Sequence, residues 1–185
     1  NMANVAWLAK EAGLKGLMLD PEEYAAQGGA FAQYIHCHLD PSFRETAKLA
    51  RQRGREVFSR VFKEFPDAVI LSLWCFKKFG FWMEEGRQPY PLNNVDQSGE
   101  LLHHFLNGMI DVMPPEVRVV EGAEAYSRSA TDDFFLKQHV LSSTTVLPLI
   151  APENTAKFRS QFYMGNTHYL DMYRTNANPA SMWYH

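Results

Sequence analysis

Cysteine is scarce. The 185 residues hold two, Cys37 and Cys75, with no CxxC spacing and no basis for a disulfide framework. Cys75 follows an apolar run and reads as a small buried residue rather than a nucleophile. Basic residues are not in excess: 18 Lys and Arg stand against 21 Asp and Glu, a net charge of −3 that leaves no electrostatic footprint for nucleic acid. No apolar run approaches the ~20 residues of a membrane-spanning helix, so no membrane partner is expected. No signal peptide is legible, which decides little about compartment because Asn1 before Met2 reads as a tag remnant. A periplasmic or secreted place stays open. The motifs GxSxG, GxxxxGK and HExxH are missing, and no Gly-rich phosphate loop follows any strand-like run. No cofactor is implied.

What is abundant is aromatic: thirteen Phe, eight Tyr and four Trp, many in stretches that read as loops. Flat aromatic faces suit sugar rings, although they can equally pack the loops themselves. With 46% hydrophobic residues the chain suffices for one domain, 1–185, with its own core.

Residues 3–12 have helical spacing, with Val5, Leu8 and Ala12 on one face and Gly13 placed as a C-terminal cap. A first strand follows over about 14–20; its Leu17-Met18-Leu19 core reads as covered on both faces, and Pro21 stops it. Residues 21–41 form a long loop. Ser42-Phe43-Arg44-Glu45 fits a capping box and opens a helix to about Phe65, with Phe43, Ala47, Ala50, Val57, Val61 and Phe62 inward. After the Pro66-Asp67 turn, Ala68–Trp74 is the strongest strand. A loop over 76–97 precedes a helix from Ser98-Gly99-Glu100 to about Met113, ended by Pro114-Pro115. Val117–Val120 makes a third strand, 131–143 a helix, Pro152–Arg159 a short helix and 161–165 a fourth strand; 144–150 stays ambiguous between helix and strand.

Alternation at this spacing predicts an α/β protein of βα units on a parallel sheet. Without a phosphate loop, a TIM-barrel-like (β/α) arrangement fits better than a doubly wound sheet. A whole barrel takes roughly 250 residues, so a partial barrel is expected. Its open edges predict self-association.

Four carboxylates, Asp20, Glu22, Glu121 and Glu124, fall just past predicted strands. Glycoside hydrolysis needs two carboxyl groups across the scissile bond, one donating a proton and one attacking or activating water. Glu22 is the expected general acid, Asp20 its electrostatic partner, and Glu121 or Glu124 the opposing base or nucleophile. Tyr24, Trp74 and Tyr126 are expected sugar platforms, with Phe79, Trp82 and Asp171 as further contacts in a carbohydrate site. Any one of these acids could instead cap a helix or pair with an arginine. His36, His38, Asp40, His103, His104 and His168 offer weak material for zinc, and His103 and His104, adjacent on a helix, should point to different faces.

The stretch Gly13-Leu14-Lys15-Gly16-Leu17-Met18-Leu19-Asp20-Pro21-Glu22-Glu23-Tyr24, with Arg51-Gln52-Arg53-Gly54-Arg55-Glu56, Phe65-Pro66-Asp67, Tyr169-Leu170-Asp171-Met172-Tyr173 and Trp183-Tyr184, resembles a family of uncharacterised bacterial proteins described as glycoside-hydrolase-like TIM barrels. The resemblance covers most of the chain and implies fold more than reaction. Members look longer, with further strands and another acid. Gly16–Glu22 is also similar, more weakly, to the chitinase-type Asp-x-Asp-x-Glu strand motif, departing from it at Met18 and Pro21. The function expected is a glycoside-hydrolase-like, carbohydrate-active protein. Two alternatives are a non-catalytic carbohydrate-binding barrel or barrel fragment, and a metal-dependent barrel enzyme acting on sugars through Asp20, Glu22 and histidines.

Overall fold

The computed structural model describes residues 2–21, 42–73, 75–76, 101–122, 132–140, 143–144 and 146–165. Within them lie helix α1 (Met2–Glu11), strand β1 (Gly16–Leu19), helix α2 (Ser42–Glu64), strand β2 (Val69–Ser72), helix α3 (Leu102–Val112), strand β3 (Arg118–Glu121), helix α4 (Asp132–Val140), helix α5 (Thr155–Gln161) and strand β4 (Phe162–Met164). Within the ambiguous stretch 144–150, Leu147–Leu149 forms a 3₁₀ turn, and the helix expected from Pro152 opens as a second 3₁₀ turn, Pro152–Asn154, that leads into α5. Pro148 and Pro152 favour such short turns because neither supplies an N–H to a longer ladder.

The protein is α/β. All four strands are parallel and lie in the order β1-β2-β3-β4. Among the described residues the order does not reverse, so they hold no switch point of the doubly wound kind. Consecutive parallel strands joined by right-handed crossovers keep their helices on one face. The burial agrees. Ile70 and Val119 on the sheet share one core with Ala6 and Ala9 of α1, Phe58, Val61 and Phe62 of α2, Leu106, Met109 and Ile110 of α3, and Phe158 of α5. Each such large side chain contributes about 1.5–3 kcal/mol by leaving water.

The opposite face is open. Met18, Leu71, Val120 and Tyr163 stand side by side in register across all four strands. Met18 is 65% exposed, Leu71 38% and Tyr163 49%, and Val120 is half-buried. The expectation that β1 is covered on both faces is therefore corrected. An apolar run reads the same whether one face or two are covered, and among the described strands β1 lies at the edge.

Helix α1 also differs from its predicted orientation. Ala6 and Ala9 are buried, whereas Val5 and Leu8 are 56% and 61% exposed. The small side chains let α1 lie close against α2 and β1. Its end is as read: Gly13 takes φ +71, Gly13 N–H donates to Lys10 O and Leu14 N–H to Ala9 O, both at 2.9 Å. This is a Schellman motif, and it needs a residue tolerant of the left-handed region.

α2 and α3 approach through glycine. A β-carbon on Gly54 would lie 2.0 Å from the Phe105 carbonyl oxygen, and one on Gly108 2.0 Å from that of Arg51. Backbone-to-backbone contact here admits no side chain at either position. On α2 the predicted inward residues Phe43, Ala47, Val61 and Phe62 are buried, joined by Phe58.

The helix-to-strand connections are short: residues 12–15, 65–68 and 113–117, with β4 following α5 directly. They sit at the amino edge and are firmly tied. Gln161 Nε2 donates to Pro114 O at 2.6 Å and to Val117 O at 2.8 Å. Lys157 Nζ donates to the carbonyls of Ile110, Asp111 and Met113, each at 3.1 Å, capping the end of α3. The stretches that leave the carboxyl edge, 20–41, 73–101 and 122–131, are long by comparison.

Candidate functional site

At the carboxyl edge the register sets Leu19, Ser72, Glu121 and Met164 level with one another. The pairing continues one residue further: Leu73 N–H donates to Leu19 O at 3.1 Å, Gly122 N–H to Ser72 O at 2.6 Å, and Gly165 N–H to Glu121 O at 3.0 Å. Glu121 thus belongs to β3 as its last residue instead of lying past it, because it pairs with Ser72 on one side and Met164 on the other.

Glu121 is 4% exposed and lies on the helix-facing side with Ser72. Its Oε1 accepts the backbone N–H of Cys75 at 2.8 Å. A buried carboxylate is costly unless hydrogen-bonded, and this bond also fixes where the chain goes after β2. Cys75 is a free, fully buried thiol. Burial pushes its pKa well up, and the neighbouring Glu121 charge pushes the same way. The thiolate is disfavoured, so Cys75 is the apolar filler read from the sequence.

Beside Glu121 opens a cavity of about 120 Å³, lined also by Ser143, Phe158, Arg159, Phe162, Tyr163 and Met164. Its aromatic wall is closely packed: Phe158 and Phe162 have ring centroids 4.7 Å apart, and Phe76, behind them, packs edge-on against Phe158 at 5.8 Å. A carboxylate at the base of an aromatic wall can bond hydroxyls while the rings cover an apolar face.

Asp20 follows β1 and is exposed. Alternation puts it on the Met18 face, opposite the side that Glu121 occupies. Two strand spacings also separate β1 from β3, roughly 10 Å. The structure therefore does not bring Asp20 and Glu121 together. Glu22, Glu124, Tyr24, Trp74, Phe79, Trp82, Tyr126 and Asp171 lie outside the described residues, as do His36, His38, Asp40 and His168.

A second polar cluster, unread from the sequence, joins α2, α3 and the turn before α5. Arg51 grips Asp111 with two bonds, Nε to Oδ2 at 2.8 Å and Nη2 to Oδ1 at 2.6 Å, and Nη2 also reaches Glu153 at 2.6 Å. Arg55 adds 2.9 Å to Asp111 Oδ2 and Asn154 2.7 Å to Oδ1. Burial alone would raise the Asp111 pKa; the bonds from Arg51, Asn154 and Arg55 outweigh it and hold the carboxyl down to about 2. Asn107 completes the joint, donating to His103 O and Leu149 O and accepting the Ala151 N–H. The spacing Arg51, Arg55 with Asp111 was visible, but a basic helix face reads as solvated until its acid partner is known.

His103 and His104 do not point apart. Their ring centroids are 4.0 Å apart, and both line a second cavity, about 220 Å³, with Arg51, Asn107 and residues 148–152. His103 is 1% exposed, and burial, then His104, hold its pKa well below the usual value. Among the described residues no group of three or more His, Cys, Asp or Glu is placed to hold a metal ion. Among them, too, no helix is long and apolar enough to cross a membrane.

Compared with known proteins, the chain matches no family model, no curated protein and no solved structure.

Proposed function

We propose that the protein is carbohydrate-active and glycoside-hydrolase-like, working at the carboxyl edge of a sheet that belongs to a (β/α)-barrel arrangement. One observation carries the reading. Among the described residues the strand order does not reverse, and the stretches leaving its carboxyl edge, 20–41, 73–101, 122–131 and 165–185, hold seven of the eight tyrosines. Phenylalanine instead fills the core positions around α2, α3 and α5. Tyrosine combines a flat face with a hydroxyl, which suits a sugar ring. In folds of this order ligands bind at the carboxyl end of the strands.

In this reading Glu22 donates a proton to the leaving oxygen and Asp20 stabilises the developing charge beside it. Glu124 is the opposing carboxylate, because Glu121 is already engaged in holding the segment after β2. Tyr24, Trp74 and Tyr126 stack on the sugar, with Phe79, Trp82 and Asp171 at the rim. The test is turnover on a panel of oligosaccharides with Glu22→Gln alongside. Loss of hydrolysis with retained binding supports the assignment; undiminished turnover in that variant sinks it.

A second reading, a non-catalytic carbohydrate-binding barrel, is favoured by the separation of Asp20 from Glu121 on opposite sides of the sheet. Binding of an oligosaccharide without any turnover, unchanged in Glu22→Gln, would select it.

A further inference from the structure

The sequence holds one Asn-Gly pair, Asn107-Gly108, and it lies inside α3. Two separate demands of the fold put it there. Gly108 is required by the crossing with α2: a β-carbon at this position would meet Arg51 O at 2.0 Å and the Arg55 nitrogen and Gly54 α-carbon at 2.9 Å. Asn107 is required by the turn that packs on α3. It is 4% exposed; its Nδ2 donates to His103 O and Leu149 O, each at 2.8 Å, and its Oδ1 accepts the Ala151 N–H at 2.7 Å. Its backbone oxygen accepts from Asn154 Nδ2 at 3.2 Å. Only an amide side chain donates and accepts at one such point.

Asparagine followed by glycine is also the pair in which a chain attacks itself most readily, because no β-carbon shields the glycine nitrogen. The Gly108 nitrogen attacks Asn107 Cγ. The new N–Cγ bond closes a five-membered succinimide and the Cγ–Nδ2 bond breaks. Nδ2 leaves as ammonia, taking the proton that the Gly108 nitrogen gives up. Water then opens either carbonyl–nitrogen bond of the ring, leaving aspartate or isoaspartate. The folded joint withholds what this needs. Within the helix the Gly108 N–H points along the axis into the ladder, away from the preceding side chain. The bonds to His103, Leu149 and Ala151 hold Cγ away from it.

We infer that Asn107 is a deamidation site latched by its own fold, closed while α3 is docked and open whenever α3 parts from the turn Leu147–Leu149. The product does not fit back. A carboxylate at 107 has no donor for His103 O or Leu149 O and sets oxygen against oxygen. Isoaspartate in addition routes the main chain through the side chain, which lengthens it between 107 and 108 and carries Gly108 off its contact with Arg51. One opening is thereby made permanent. The inference rests on the α2–α3 joint and is independent of the sugar reading.

The experiment incubates the 185-residue protein at mildly alkaline pH, in buffer and in urea that unfolds it, and maps its peptides for aspartate and isoaspartate at 107. Conversion is expected in urea, and at least about 100-fold more slowly in buffer, where only the open fraction reacts. Gly108→Ala in urea, where folding plays no part, should slow the reaction by shielding the nitrogen. Protein aged in urea and returned to buffer should unfold at lower urea than fresh protein, and Asn107→Asp should reproduce part of that loss. Equal rates in buffer and in urea would overturn the inference, since the fold would then protect nothing. So would another asparagine converting ahead of Asn107 in urea, or an aged chain that regains the midpoint of the fresh one.

Discussion

Glu121 Oε1 lies 2.8 Å from the backbone nitrogen of Cys75, a contact between the last residue of β3 and the turn after β2. The carboxylate does for this turn what a helix N-cap does for a helix: it answers a buried N–H that no strand partner can reach. Glu121→Ala should therefore cost about 1–3 kcal/mol, the price of an unanswered buried donor. For a chain of this size that lowers the thermal midpoint by roughly 2–4 °C per kcal/mol. Glu121→Gln keeps an acceptor oxygen and should cost less. Equal losses in the two variants, measured by urea unfolding, would show that the bond is not what matters.

The α2–α3 joint should be intolerant of the smallest enlargement. Gly54→Ala or Gly108→Ala must push apart two backbones, not flexible side-chain ends. Each is expected to destabilise by about 1–3 kcal/mol or more. Gly13→Ala offers a contrast. Nothing lies within 4 Å of its β-carbon, so its cost is the left-handed φ of +71 alone, about 1–2 kcal/mol. The two kinds of site separate on a second change: Gly13→Asn should recover much of the loss, and Gly54→Asn should worsen it.

Acid should weaken the Arg51–Asp111 joint in a defined window. The Asp111 carboxyl, held at about 2 in the folded chain against an ordinary 3.8, stays ionised where the unfolded chain takes up a proton. Its contribution is complete above the unfolded value and is lost as pH falls through about 2. The unfolding free energy of the protein should thus decline below pH ~4, and Asp111→Asn should flatten that part of the curve. An identical acid slope in the variant would remove Asp111 as its source.

His103 acts at higher pH and through the opposite chemistry. Burial keeps its ring neutral in the folded chain, with His104 adding to the effect. The unfolded chain binds a proton below about 6.5, so stability should start to fall as pH drops below that value. Comparing urea midpoints at pH 7.5 and 5.5 in the natural protein and in His103→Phe isolates the term. The variant should lose less stability between the two.

The elements were legible in the sequence because each carries its own punctuation. Pro66-Asp67 brackets β2, Pro114-Pro115 ends α3, and Gly13 closes α1 in the geometry its position suggested. Orientation was less legible. Val5 and Leu8 are the larger apolar residues of α1, yet Ala6 and Ala9 face the core, because distance of approach and not hydrophobicity alone chose the face. Met18 sits in an unbroken apolar run that carries no sign of which side is covered. Of the candidate site, the edge bearing Asp20 and Glu121 was visible. Their separation was not, since it depends on strand register and on the alternation that sends neighbours to opposite sides. The Asp111 joint was hidden for a related reason: its partners lie about 40 to 60 positions apart in the chain.

Lys157 extends these arguments to reactivity. An ammonium carries three N–H bonds, and this one donates all of them, to the carbonyls of Ile110, Asp111 and Met113. Acylation would require withdrawing the nitrogen from the three carbonyl oxygens at the end of α3. In a pulse of amine-reactive ester, Lys157 should therefore be modified after exposed lysines such as Lys10, Lys15, Lys48 and Lys63. Its labelling rate becomes a local clock for the undocking of α5 from α3, readable residue by residue in a mass spectrum while the rest of the protein stays folded.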